Sequence, residues 1–323
     1  MAVDVLSAGD PVEALYNRRV RGLGVLVAAD DTRMHAATGC WFMLAAGTPP
    51  RLVVSIPHEV PTLTLLREAG TFTVNLVGIH QRSQIEPLRV GTEPPSLAWW
   101  QVPSGALCLP GSTGIFDCVA EGERDVGDST LIWAAVTAAG GRREEPNLTS
   151  NDLPPLSPEA LAMRPHDWAR PRPPLAMARL PERADAVYRR RRWGAMAIVM
   201  GTKHDWVGGL TTGMMQVSHE PGRFAWFLNP GGAAAKKIAH NAHWSAAVAS
   251  RSLVEFTHLP RQAADESLRW EGDAARLPGA LAHFSGVVED AWTVGGRLLV
   301  LGVVKDLREG PDDEANIERD DAL

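Results

Sequence analysis

Residues 188–201, YRRRRWGAMAIVMG, and residues 243–249, HWSAAVA, bound a stretch from Tyr188 to Ala249 that repeats Tyr16 to Val77 without a gap. A step of 172 residues carries Tyr16 onto Tyr188, Arg19 onto Arg191, Gly22 onto Gly194, Val27 onto Val199, Met43 onto Met215, Pro49 onto Pro221 and Arg51 onto Arg223. The match resumes at a step of 168, with Leu109-Pro110-Gly111 on Leu277-Pro278-Gly279, Phe116 on Phe284, Glu121 on Glu289 and Leu131 on Leu299. Solenoid repeats run at about 20 to 50 residues, so a period this long reads as a duplicated domain.

The 323 residues suit two domains, and 45% hydrophobic against 22% charged residues is enough for each half to build a core. Net charge is −6, and the one basic run, Arg189 to Arg192, has a counterpart in Arg18, Arg19 and Arg21. That argues against nucleic-acid binding. Three cysteines without a CxxC pair, an acidic start lacking an apolar leader, and no long apolar run predict a cytoplasmic protein with free thiols and no membrane span.

Along the chain, DPVEALYNRR (10–19) reads as a short helix with Pro11 at its first position. GLGVLVAAD reads as a strand closed by the turn signal Asp30-Asp31, and the apolar character resumes over 34–46. RLVVSI is a β-branched strand, PTLTLLREA a helix ending at Gly70, and FTVNLV a strand. Residues 78–104 form a polar excursion carrying Trp99-Trp100, and two strands flank the turn Val126-Gly127-Asp128. This order suits a mainly β fold with helices, an antiparallel barrel rather than a βαβ sheet. The boundaries read as a first domain over 1–140, a Pro-rich linker over 141–181, a second domain over 182–308 and an acidic disordered tail over 309–323.

These residues resemble the flavin reductase-like proteins with the FMN-binding split-barrel fold. Thr38 stands at the threonine of the G-x-T segment, Thr48-Pro49-Pro50 at Asp-Pro-Pro, and Thr62 at the threonine of Ser-x-Thr that opens a helix. Phe72-Thr73-Val74-Asn75 stands at the Asn strand and Gly127-Asp128-Ser129 at the late Gly-Asp-His turn. The resemblance implies two tandem FMN-binding split β-barrel domains forming an intramolecular pseudo-dimer, with higher assembly left open. It implies FMN, or FAD, as cofactor and NAD(P)H as reductant.

On that resemblance the flavin-binding residues are Thr38, Gly39, Cys40, Trp41 and Thr62 in the first repeat, and Ser218, Asn229, Gly231, Gly232 and Lys236 in the second. Departures are present in both: Ala46 and Val60 replace serines in the first, while Leu210, Gly232 and Ala234 replace hydroxyl residues in the second. A phosphate loses charge-assisted hydrogen bonds when such hydroxyls go. Asn229 to Gly232 could compensate as an anion nest at a helix N-terminus, with Lys236 or Lys237, or could be a Gly-rich turn with solvated lysines. The family's late His is Ser129 in one repeat and Arg297 in the other.

No metal site is expected, because His240 and His243 stand at i, i+3 at a predicted helix end with no carboxylate or thiol at matching spacing. No catalytic residue is assigned. The eleven tryptophans allow either an aromatic pocket built from Trp99, Trp100, Trp168, Trp206 and Trp226 or simple core filling. The reading is a flavin-dependent oxidoreductase whose reduced flavin either leaves for a partner monooxygenase or acts on a bound small-molecule substrate. The alternative is a degenerate barrel pair that has lost flavin and binds another ligand.

Overall fold

The computed structural model describes residues 22–39, 41–45, 47–89, 99–141, 146–149, 152–153, 168–169, 178, 180, 182–184, 196–211, 213–249, 268–277 and 279–309. They fall into two compact units, one within residues 21–192 and one within 193–323. The expected helix over 10–19, the basic runs and residues 310–323 lie outside the described residues.

The first unit runs β1 (Gly24–Ala29), β2 (Arg33–Thr38), β3 (Trp41–Ala45), β4 (Arg51–Pro57), α1 (Pro61–Ala69), β5 (Thr71–Leu76), α2 (Arg82–Arg89), β6 (Trp100–Gln101), β7 (Leu107–Cys108), β8 (Gly114–Val126), β9 (Ser129–Gly140) and β10 (Trp168–Ala169). Eight strands form one antiparallel sheet in the order β10-β2-β1-β5-β8-β9-β4-β3. Strands β2 and β3 are thus far apart in that order, yet only Gly39 and Cys40 separate them in the chain. So short a link spans about 10 Å at most, so the sheet curls until its two ends meet.

Strand β1 is apolar throughout because it is buried on both faces. Leu26 and Ala28 enter a core with Phe42, Leu52, Val54, Phe72 and Phe116, whereas Val25, Val27 and Ala29 enter another with Trp99, Leu107 and Trp168. The turn after β1 is fastened by Asp30, whose Oδ1 accepts the backbone N–H groups of Thr32 and Arg33 at 2.6 Å each. Those bonds, the Thr32 one foremost, hold its carboxyl well below the usual carboxylate range. Helix α1 begins with Pro61 and ends where Gly70, at φ 68°, donates to the Leu66 carbonyl. It buries Leu63, Leu65 and Leu66 in the first core.

The Pro-rich composition of 141–181 predicts a spacer over the surface, yet its described parts are stitched into the first unit. Leu148 N–H donates to the Val77 carbonyl at 2.8 Å, Trp168 pairs with Met34, and Ala178 N–H donates to the Gln101 carbonyl at 2.7 Å. Leu148, Leu153 and Trp168 are the reason: they are apolar and buried in the unit's second core.

The second unit runs β11 (Met196–Thr202), β12 (Asp205–Thr211), β13 (Met214–Ser218), β14 (Arg223–Leu228), β15 (His243–Val248), β16 (Arg269–Glu271), β17 (Ala274–Arg276), β18 (Ala282–Val294) and β19 (Arg297–Glu309). Its sheet order, β12-β11-β15-β18-β19-β14-β13, is the first unit's order strand for strand without β10. Bulges fall between Asp117/Cys118 and Ala120/Gly122 in β8 and between Ser285/Gly286 and Val288/Asp290 in β18, 168 residues on. Arg51 grips Glu121 with two hydrogen bonds of 3.0 and 2.9 Å, and Arg223 grips Glu289 with two of 2.6 and 3.0 Å.

The units differ where α1 stands. The spacing predicts a helix in the second repeat as well, but residues 230–242 form turns around the 3₁₀ segment Ala235–Lys237. The leucines of α1 are replaced by Ala235, Lys237 and Ile238, so a helix there has no apolar stripe to bury. Part of the lost volume is made up by indoles. Trp226 and Trp244, at the positions of Val54 and Phe72, are fully buried with ring centroids 5.3 Å apart. They lie over Gly302 and Gly286, where the first unit has Ala134 and Cys118. Within the units the tryptophans fill cores: Trp99 and Trp168 share one core of the first unit, and Trp206 sits in a core of the second.

A Cβ at Gly302 would lie 2.8 Å from both Trp226 Cη2 and Trp244 Cε2. Gly302→Ala should therefore destabilise the protein by about 1–3 kcal/mol through overpacking. Urea unfolding followed by tryptophan fluorescence checks this, and an unchanged midpoint would contradict the packing described.

Candidate functional site

The missing helix leaves a cavity of about 350 Å³ in the second unit. Its walls come from β11 (Ile198, Met200), β12 (Val207 to Gly209, Thr211), the end of β14 (Trp226 to Asn229), the turn Gly232 to Ala234, and Arg297 at the start of β19. The local sequence explains the opening. Gly208 and Gly209 stand where β2 has Ala36 and Ala37, and a Cβ at Gly209 would meet nothing within 4 Å. Apolar residues dominate, Thr211 and Asn229 add neutral polar groups, and Arg297 is the one charged residue of the lining.

Of the sequence-predicted residues in this half, Asn229 and Gly232 line the cavity. Gly231 is an exposed turn residue, and Lys236 is exposed and outside the lining. Lys237 is ion-paired with Asp205. No helix of useful length follows Gly232, whose N–H is spent on the Asn229 carbonyl at 2.9 Å, so the anion nest at a helix N-terminus is not formed. Ser218 is buried and donates to the Pro221 carbonyl at 3.0 Å, bracing the β13–β14 turn. Arg297, which stands at the family's late His and reads from the sequence either as a contact for an anionic substrate or the flavin ring or as an exposed turn residue, donates from its guanidinium to Asn229 Oδ1 across the cavity wall.

In the first unit the corresponding positions are occupied by the unit's own side chains. Thr62 is fully buried, and its Oγ1 lies 2.5 Å from Nδ1 of buried His35, which stacks on Trp168 at 5.4 Å. Thr38 and Trp41 are half-buried at the facing ends of β2 and β3, and Gly39 is exposed with φ 75°. Cys40 lies outside the described residues. Ser129 is buried and donates to Asp128 Oδ1 at 3.2 Å.

Other chemistry recedes among the described residues. Burial, with Asp117 nearby, pushes the Cys108 thiol up to about 12 and raises the Cys118 thiol well above its ordinary value, so neither supplies a thiolate at neutral pH. His240 Nδ1 is bonded to the Glu289 carbonyl and His243 faces Asp273, separate partners for the two histidines. No helix among the described residues is long and apolar enough to cross a membrane.

Comparison with known proteins bears on the first unit, where residues 17–155 match the family model described as "Flavin reductase like domain". Residues 17–155 are a flavin reductase like domain. The "Putative diflavin flavoprotein A 4" of Synechocystis sp. is 25% identical over 144 residues, 43% of this chain, and the chain covers 24% of that protein's length. Among solved structures, the styrene monooxygenase flavin reductase of Pseudomonas putida S12 is 24% identical with a TM-score of 0.36, over 48% of this chain and 93% of that one. The NADH:FAD oxidoreductase SgcE6 of Streptomyces globisporus C-1027, solved with NAD and FAD fragments, is 18% identical with a TM-score of 0.39, over 47% and 97%.

If Thr62 is a core residue of the flavin reductase like domain, Thr62→Val should leave His35 without its hydroxyl partner. The expected loss is about 1–3 kcal/mol for one buried unsatisfied group. Chemical denaturation measures it, and a variant as stable as the parent would contradict the assignment.

Proposed function

We propose that the chain is a tandem duplication of the flavin reductase like domain, and that it is a flavin-dependent oxidoreductase holding its flavin in the cavity of the second unit. The supporting observation is the cavity itself. It lies at the turn after β14, the end of β12 and the start of β19, the positions that repeat Val60 to Thr62, Gly39 and Ser129 of the first unit. FMN is the cofactor, with FAD the larger alternative, and NAD(P)H the reductant.

The residues present fit such a group. Ile198, Met200 and Trp226 offer an apolar wall to a flat ring, and the glycines of β12 let it approach the backbone. Thr211 and Asn229 offer polar groups that can orient it. When bound, flavin supplies hydride acceptance and return; the protein supplies binding, orientation and exclusion of water. Reduced flavin then either passes to a partner monooxygenase or acts on a small substrate at the same site. The alternative of a barrel that has lost flavin describes the first unit, where Thr62 is sealed in the core.

The test is a visible spectrum of the purified protein with FMN, followed by NADH or NADPH under anaerobic conditions. Bound-flavin absorbance bleached by one nicotinamide is expected, and Gly209→Leu, which projects into the open cavity, should weaken binding by at least about tenfold, or 1.4 kcal/mol. Flavin that fails to bind, or that binds without being reduced, would overturn the reading.

A further inference from the structure

We infer that Arg297 is the anion anchor of the second-unit cavity and that the group it receives is a phosphate monoester, the terminal group of a flavin nucleotide. The choice of flavin rests on the function proposed above; the anion site stands on the geometry of Arg297. Its guanidinium is the cavity's single charged group and is held at the wall by a neutral acceptor, Asn229 Oδ1.

Four arginines of the two units are neutralised by carboxylates. Arg51 is paired with Glu121, Arg67 with Glu123, Arg223 with Glu289, and Arg276 with Glu271 and Asp306. Arg297 has no carboxylate within 4.0 Å among the described residues, so its charge is available to a ligand. A guanidinium aimed at a site by a neutral amide matches the two-pronged geometry of a phosphate.

The substitution pattern points the same way. The second repeat lacks hydroxyls at Leu210, Gly232 and Ala234, and Lys236 does not line the cavity. The position of Arg297 in the first unit is Ser129, which is uncharged and buried. Positive charge therefore stands at this register only in the unit whose cavity opens at that register. One arginine from the start of β19 takes over the work of several hydroxyls from a helix that is no longer formed.

The experiment is isothermal titration of the full chain with FMN, riboflavin and inorganic phosphate, for the parent, Arg297→Gln, Arg297→Lys and Lys236→Gln. FMN should bind the parent more tightly than riboflavin. Arg297→Gln should lower FMN affinity by about 10- to 100-fold, the loss of a charged hydrogen-bond partner, with riboflavin affinity within about twofold of the parent. Arg297→Lys should recover part of the difference and Lys236→Gln should alter neither. Equal binding of FMN and riboflavin by the parent, or equal losses for both in Arg297→Gln, would overturn the anchor. Phosphate binding that needs Arg297 in a protein that takes no flavin would uphold the anchor and sink the flavin reading. Binding of none of the three would overturn both.

Discussion

The constraint on which each unit depends is the two-residue connection between strands that lie far apart in its sheet order. Gly39 and Cys40 join β2 to β3, and residues 212 and 213 join β12 to β13. Neither link can stretch across a flat sheet of seven or eight strands, so each sheet must curl until its ends meet. Curling creates the enclosed face that Phe42, Phe72 and Phe116 fill in the first unit and Phe224, Trp244 and Phe284 fill in the second. It also brings the end of the second strand close to the turn after the fourth, and the two units differ there.

That difference is one of side-chain volume rather than topology. In the first unit Leu63, Leu65 and Leu66 stabilise a helix by burial, and the helix seals Thr62 and His35 inside. In the second, Ala235, Lys237 and Ile238 at the same places make no continuous apolar stripe, and the indoles of Trp226 and Trp244 occupy the core over Gly302 and Gly286. Indoles are flat and fixed in place, so they fill the centre and leave the rim open. The half that matches the flavin reductase like domain is thereby closed at this place, and the half outside that match has a cavity there; the first unit's own cavity of about 530 Å³ lies elsewhere, against Leu44, Thr48 and Val136.

Much of this was legible from the residues. β-branched runs such as RLVVSI gave strands, Pro61 and Gly70 bounded a helix, and Asp30 closed a turn as its side-chain chemistry requires. Matching Arg51 with Arg223 and Glu121 with Glu289 anticipated a register; that each Arg grips its Glu needed three dimensions. Three things could not be read. Thr62 reads as a flavin-binding hydroxyl in a linear motif, and only its contact with His35, 27 residues away, shows it as core. Residues 233–239, AAAKKIA, carry the composition of a helix, but tertiary burial decides helices and too little apolar surface is offered there. The prolines of 141–181 hid Leu148 and Trp168, two residues that sew the segment to its unit.

The central claim is that the two halves are inequivalent where α1 stands, with the proposed flavin site at that place in the second unit. The most direct measurement is the number of flavins bound per chain at saturation, from flavin absorbance against protein concentration after removal of free flavin. The account predicts one flavin per chain. Two would contradict the closure of the first unit by its own side chains, and none would contradict the second unit's cavity as a flavin site.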